Sequence, residues 1–195
     1  METLLEFQAS PVAIVDGFIQ AGETTITMRC HDRVFNDVEV RDESDELLFT
    51  VESKGVASMS WRRIVKDATG TPLFHFRKFF NYGVNRNWTV ENSSGGELCT
   101  LEHVTKFLRK QHAVNLLIHH NQADDGKEAT VEIRPKDQAG LTILVNIRGA
   151  NVAEIQMTEV NIRRKCDRSV WKARIAGGVD LTLTIEVNVC DSTET

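Results

Sequence analysis

The sequence predicts an all-β protein built from antiparallel hairpins, and three observations carry that prediction. A four-residue turn recurs three times, as Asp67-Ala68-Thr69-Gly70, Asn92-Ser93-Ser94-Gly95 and Asp137-Gln138-Ala139-Gly140. In each, Asp or Asn accepts hydrogen bonds from the backbone just ahead, and Gly takes the positive φ that a Cβ penalises. The flanking runs alternate apolar and polar residues and are rich in β-branched and aromatic side chains. Helical periodicity is scarce between them, which favours a barrel or sandwich with antiparallel neighbours.

Residues 1 to about 22 contain Pro11, Gly17 and Gly22 and little periodicity, and they read as a lead-in arm; 23–195 read as a single domain. Alternation begins with Ile26, Met28 and Cys30 on one side of a strand. Val34 to Arg41 and Leu47 to Val51 follow, split by the acidic turn Asp42-Glu43-Ser44-Asp45-Glu46. A turn near Lys54-Gly55 leads to the first strong hairpin, roughly Val56–Val65 with Pro72–Lys78, where Met59 and Trp61 share a face. The second hairpin pairs Asn87–Glu91 with Glu97–Leu101. Leu101, Val104 and Leu108 have helical spacing among strands, so 102–111 reads as an irregular connector. Val114, Leu116 and Ile118 alternate again, and 121–126 form a polar loop. The third hairpin pairs Ala129–Arg134 with Leu141–Arg148, and Val152–Val160 and Val170–Ile175 complete the strands.

Composition bounds the function. The chain has 195 residues, 41% hydrophobic and 26% charged, with a net charge of −5. That suits a folded domain with a sizeable core and disfavours wholesale binding to nucleic acid. The N-terminus lacks the basic start and apolar run of a signal peptide, and no stretch is long enough to span a bilayer. The expected setting is cytoplasmic, with room for peripheral contact with the plasma membrane. Cys30, Cys99, Cys166 and Cys190 form no CxxC pair, which predicts free thiols rather than zinc ligands or disulfides.

The segment from Gly177 to Cys190 alternates Thr, Val, Ile and Leu, and by propensity it is a strand. The order of features points elsewhere. Lys54-Gly55-Val56-Ala57-Ser58 precedes a Trp and the Asp67 turn with Thr71-Pro72-Leu73-Phe74; later come Trp171-Lys172-Ala173-Arg174-Ile175 and Gly178-Val179-Asp180. This order resembles the LURP-one-related family of the Tubby C-terminal-like superfamily. The resemblance implies an antiparallel β-barrel of about twelve strands enclosing a hydrophobic C-terminal helix, roughly 179–190, with Asp180 as its N-cap. The chain departs from the family pattern at Gly177, where Pro is usual, and in the polarity of Thr182, Thr184, Glu186 and Asn188. Thr hydroxyls bond back to the preceding helical turn; Glu186 and Asn188 need partners.

No catalytic constellation is visible. The histidines are His31, His75, His103, His112, His119 and His120, and the adjacent pair points to opposite faces of a strand. No Gly-x-Ser-x-Gly elbow, phosphate loop or HExxH occurs, and the acidic turns lack the spacing of a calcium loop. The sequence therefore predicts a protein that is not an enzyme and holds no cofactor or metal.

Basic clusters are the remaining signal. Arg62, Arg63, Lys66, Arg77 and Lys78 fall within one hairpin, though Arg62 and Arg63 point oppositely, as do Arg77 and Lys78. Lys106, Arg109 and Lys110 form a second group, and Arg163, Arg164, Lys165 and Arg168 a third. The bland reading of each is a solvated face. The functional one is capture of an anionic lipid headgroup, which needs several cations to converge. The resemblance implies the same class of activity, because Tubby-type domains bind a phosphoinositide headgroup through a small Lys/Arg pocket. The alternative is a protein-interaction scaffold in stress or defence signalling, with a protein partner and no lipid dependence.

Overall fold

The computed structural model describes residues 3–32, 37–53, 62–78, 88–104, 113–161 and 168–185. Its strands are β1 (Thr24–Cys30), β2 (Asp37–Arg41), β3 (Leu47–Ser53), β4 (Arg62–Asp67), β5 (Pro72–Lys78) and β6 (Trp88–Glu91). They continue as β7 (Glu97–His103), β8 (Val114–Ile118), β9 (Ala129–Pro135), β10 (Thr142–Ile147), β11 (Ala150–Val160) and β12 (Ser169–Ile175). Each strand pairs antiparallel with the next, and β1 pairs with β12 from Thr24↔Ile175 to Cys30↔Ser169, so the meander closes into a twelve-stranded barrel. Closure removes every exposed sheet edge.

Local chemistry explains the hairpins. Asp67 Oδ1 accepts the N–H groups of Thr69 and Thr71, both at 2.9 Å, while Gly70 sits at φ +84°. Asn92 Oδ1 does the same for Ser94 and Gly96 at 3.0 and 2.8 Å, with Gly95 at +87°. Asp137 Oδ1 accepts from Ala139 and Leu141 at 3.0 and 3.1 Å. A fourth copy stands in the acidic turn, where Asp42 Oδ1 accepts from Ser44 and Glu46 at 2.8 and 2.9 Å and Asp45 takes φ +64° in place of Gly. The register shifts one step before three of these turns, at Val40/Arg41, Val65/Lys66 and Val90/Glu91. That is the signature of a turn closed by a bulge with a left-handed residue.

Strand alternation puts one set of side chains inside. Phe49, Val51, Val65, Phe74, Phe76, Trp88, Leu101, Leu116 and Ile155 are all at 0% exposure. About eight strands enclose a bore that their own side chains fill. Twelve strands enclose more, and the C-terminal segment contributes to filling it. Val179, Leu181, Leu183 and Ile185, exposed by 1–3%, belong to the same core cluster as the strand residues.

The helical part of this segment starts later than the resemblance implies. Val179 and Asp180 form single bridges with Val12 and Ile19, which suits their strand propensity, and the described helix covers residues 183–185. Residues 186–190, with Glu186 and Asn188, lie outside the described residues, as do Lys54 to Trp61 and the connector from 105 to 112. Asp180 Oδ1 accepts the Thr182 N–H at 2.8 Å, the geometry of an N-cap. The Thr184 hydroxyl donates to the Leu181 carbonyl at 2.8 Å, so its polarity is satisfied within the turn.

The N-terminal arm packs against this segment. Val12, Ala13 and Ile14 are 0–2% exposed. Val12 N–H donates to the Gly178 carbonyl at 3.1 Å, and Asp180 N–H returns to the Val12 carbonyl at 3.0 Å. Asn121 Oδ1 accepts the Ala13 N–H at 2.9 Å and Asn121 Nδ2 donates to the Pro11 carbonyl at 3.0 Å. Gly177-Gly178 is compressed between two passes of the arm. A Cβ on Gly177 would lie 2.6 Å from the Ala21 carbonyl oxygen, and one on Gly178 would lie 2.2 Å from that of Gln8. Burial pushes the Asp180 carboxyl up, against the N–H bonds it accepts from Val15, Thr182 and Ile14.

Because neighbouring strands alternate in direction, the joins fall on two rims. The first rim carries the β2–β3, β4–β5, β6–β7, β8–β9 and β10–β11 joins. The second carries the β1–β2, β3–β4, β5–β6, β7–β8, β9–β10 and β11–β12 joins.

Candidate anion-binding face

The hairpin singled out by its charge becomes β4 and β5, with β6 beside it. The two-residue period divides its cations. Val65 and Arg63 face the interior, and Arg63 is 2% exposed with its guanidinium carbon 5.3 Å from the Trp88 ring centroid. A cation over an indole face is attracted by the ring quadrupole. Arg63 therefore does not share the exterior with Arg62 and Arg77; alternation along β4 excludes it.

Arg62 and Arg77 are direct cross-strand partners on the outside. Two like charges so placed repel unless an anion bridges them, and Glu91 on β6 does so. Its two carboxylate oxygens lie 3.5 Å from Arg62 Nη2 and 3.4 Å from Arg77 Nη1. The Glu91 side chain is only 10% exposed, so solvent screens this contact less than an ordinary surface pair. Arg62 Nε is buried with no acceptor among the described residues. Lys78 ends β5 one position beyond Arg77, at the second rim. Lys66 stands near the Asp67 turn, by the first rim, and pairs with Glu52 at 2.5 Å. With Glu52 55% exposed, that pair is worth at most about 1 kcal/mol. The structure thus brings Arg62 and Arg77 together, with Lys78 next in the strand, and separates Lys66 and Arg63 from them.

Glu91 is not among the residues that the sequence singles out. The β5–β6 join has no turn motif, so nothing local signals that β6 lies against Arg77 (Arg77↔Thr89, His75↔Glu91).

Of the other cationic groups, Arg163, Arg164 and Lys165 lie outside the described residues, as do Lys106, Arg109 and Lys110. Arg168 is described at the entry to β12, where its N–H donates to the Cys30 carbonyl at 2.6 Å and its carbonyl accepts from Asn161 at 2.9 Å. It sits on the second rim.

A histidine and a carboxylate do meet on the outer surface. His119 Nε2 lies 3.0 Å from Glu97 Oε1 and 2.7 Å from Thr100 Oγ1, and the Thr100 hydroxyl donates to the same Glu97 oxygen at 2.9 Å. In a nucleophilic triad the base uses one ring nitrogen for the nucleophile and the other for the orienting acid. Here both oxygens crowd Nε2. Among the described residues no three His, Cys, Asp or Glu side chains are placed to hold a metal ion. Cys30 and Cys99 are both buried. No helix among the described residues is long and apolar enough to cross a membrane. A groove of about 330 Å³ near Glu128, Glu132, Ile147 and Arg148 is remote from the Arg62–Arg77 pair.

A polar network ties the arm to the outer wall. Thr3 Oγ1 and Lys136 Nζ both donate to Glu154 Oε1 at 2.6 Å, and Arg174 donates to Glu23 at 2.8 Å. Desolvation pushes the Glu154 carboxyl up, but the hydrogen bonds from Lys136 and Thr3 outweigh it and hold it below the usual range.

The family model described as LURP-one-related matches residues 24–190. A crystal structure of a protein from Arabidopsis thaliana shares the fold, with a TM-score of 0.63 at 16% identity over 94% of this chain and 99% of that chain. No curated protein sequence matches this chain. The family match covers β1 to β12 and the segment that follows them, and on it the chain belongs to the LURP-one-related family.

Proposed function

We propose that this protein is a non-catalytic β-barrel module that holds anionic lipid headgroups, phosphoinositides among them, and so tethers itself reversibly to a membrane face. The reading groups it with the Tubby C-terminal-like barrels. Its main support is the cross-strand pair Arg62↔Arg77, where two guanidinium groups meet over the one carboxylate of Glu91. An arginine fork matches phosphate oxygens as it matches a carboxylate. Lys78 follows Arg77 in the sequence, and Arg163, Arg164, Lys165 and Arg168 supply a second group. The mechanism is direct headgroup hydrogen bonding without insertion of a spanning segment.

The test is co-sedimentation with phosphatidylcholine vesicles doped with a phosphoinositide. Arg62→Glu with Arg77→Glu should weaken binding by tenfold or more, since each cation near an acidic surface contributes about 1 kcal/mol. Unchanged binding by a folded double variant removes this pair from the site.

A second reading, a protein-interaction scaffold, draws on a different observation. Leu4 and Phe7 on the arm are 82% and 64% exposed. This reading predicts no lipid dependence and a protein partner that no longer binds the Leu4→Ser, Phe7→Ser double variant.

A further inference from the structure

The outward face of β6 is nearly closed to solvent. Thr89 and Glu91 alternate with the interior residues Trp88 and Val90, yet they are only 5% and 8% exposed. The Arg62 and Arg77 side chains, on β4 and β5, are 33% and 38% exposed. The guanidinium groups therefore reach solvent, while the carboxylate that bridges them is almost shut off from it. Across the strands, Glu91 faces His75 on β5 and Glu97 on β7. Glu97 adds a second negative charge, and it is itself engaged, accepting from the Thr100 hydroxyl at 2.9 Å and lying 3.0 Å from His119 Nε2.

The bridge itself is loose. Glu91 approaches the two guanidinium groups to 3.5 and 3.4 Å, where a charge-assisted N–H···O bond measures about 2.7–2.9 Å. Arg62 Nε is buried without an acceptor, so the fork of Arg62 is not fully used. One carboxylate has a single charge to divide between two arginines. A phosphate monoester brings three acceptor oxygens and a charge of about −1.5 to −2. It can satisfy both forks where Glu91 does not. Glu91 is nevertheless fixed in the chain and always present. An incoming anion gains from the pair only what exceeds the hold of that carboxylate, and stripping a carboxylate so little exposed of its cations costs free energy.

We propose that Glu91 is a built-in competitor of the ligand: a phosphate monoester binds Arg62 and Arg77 by taking over the N–H groups that face the Glu91 carboxylate, and that carboxylate holds the affinity down. The proposal rests on the lipid reading above and adds to it the chemical class of the ligand group and the residue that limits its hold. Competition from an internal group lowers every anion by one common factor. Carboxylates and phosphodiesters, with no more charge than Glu91 itself, are then held weakly. A phosphate monoester has charge and oxygens to spare, and it stays bound, though reversibly.

Two probes test it on the full chain: phosphatidylcholine vesicles doped with a phosphoinositide, and inorganic phosphate followed by side-chain NMR at fixed ionic strength. Glu91→Gln should tighten binding by about fivefold or more, the least that one unit charge about 4 Å away is worth in water. The factor should agree between the two probes to within about twofold. Glu132→Gln removes the same charge from β9, three strands away, and should change either affinity by less than about twofold. In the unaltered protein the Glu91 carboxyl carbon should shift in step with the Arg62 and Arg77 Nε–H signals as phosphate is added, a readout that needs no variant to fold. Vesicle binding that Glu91→Gln leaves unchanged or weakens, an equal gain from Glu132→Gln, or a Glu91 signal that stays still while the arginines shift overturns the competitor role and leaves the lipid reading intact. No vesicle binding by either protein, with the phosphate gain still present, overturns the lipid reading and keeps the competitor role for a free phosphate. No vesicle binding and no arginine shift with phosphate overturns both.

Discussion

The Asp180 carboxylate accepts the backbone N–H of Ile14 at 2.9 Å, joining residues 166 positions apart. The same oxygen accepts from Val15 at 3.0 Å, and the other caps the helical turn through Thr182 at 2.8 Å. One side chain thus fixes the arm and starts the helical turn. Asp180→Ala leaves three N–H groups without their acceptor in a buried site, and each costs about 1–3 kcal/mol. We expect a loss of about 3–5 kcal/mol in denaturant unfolding, with the largest change in hydrogen exchange at residues 12–15 and 181–185. A loss below about 1 kcal/mol contradicts the role.

Gly178 tests the same junction from the backbone. It sits at φ +83°, and a Cβ there meets the Gln8 carbonyl oxygen at 2.2 Å. Gly178→Ala combines left-handed strain with a backbone clash, for a loss of about 2–5 kcal/mol in thermal or chemical unfolding. Gly22→Ala is the control, since a Cβ there meets nothing within 4 Å.

The turns supply a pH prediction. Hydrogen bonds from the Thr69 side chain and the Thr71 backbone hold the Asp67 carboxyl below its ordinary value, where Asn92 fills the same role without a titrating group. A carboxylate depressed in the folded state stabilises fully above its unfolded value of about 4, and that contribution is lost as pH falls through the folded value. Asp67→Asn should therefore unfold with less acid sensitivity than the unaltered protein below pH of about 4, and with similar stability near neutrality. Parallel stability profiles from about pH 7 down to about pH 2 would refute the assignment.

Asp45 takes the left-handed position that Gly70 and Gly95 take in the sister turns. Asp45→Gly should raise stability by up to about 1 kcal/mol, because the exposed Arg29 contact it removes is worth little. Gly95→Ala should lower stability by about 1–2 kcal/mol. Melting temperatures that move in the same direction for both variants contradict this account of the turns.

The barrel is legible in the sequence where its signals are local. Asp67, Asn92 and Asp137 announce their turns, and Ile143, Val145 and Ile147 announce their face by alternation. The Asp42 turn hides its kinship because Asp45 replaces the Gly that marks the others. The closure of β1 on β12 leaves no local mark, since Met28 meets Trp171 across most of the chain. Val179 and Asp180 read as strand, and they do form bridges, but with an arm whose own sequence has no period. In the candidate site, alternation already separates Arg62 from Arg63. The bridging Glu91 is invisible because it arrives from a strand with no turn to announce it.

The most direct measurement of the central claim is co-sedimentation of the unaltered protein with neutral phosphatidylcholine vesicles and with the same vesicles doped with a phosphoinositide, at low and physiological salt. The account predicts selective binding to the doped vesicles that weakens steeply as salt rises. Equal partitioning to both vesicle types, or no binding at either salt, would contradict it and leave the exposed Leu4 and Phe7 of the arm as the surface to pursue with a protein partner.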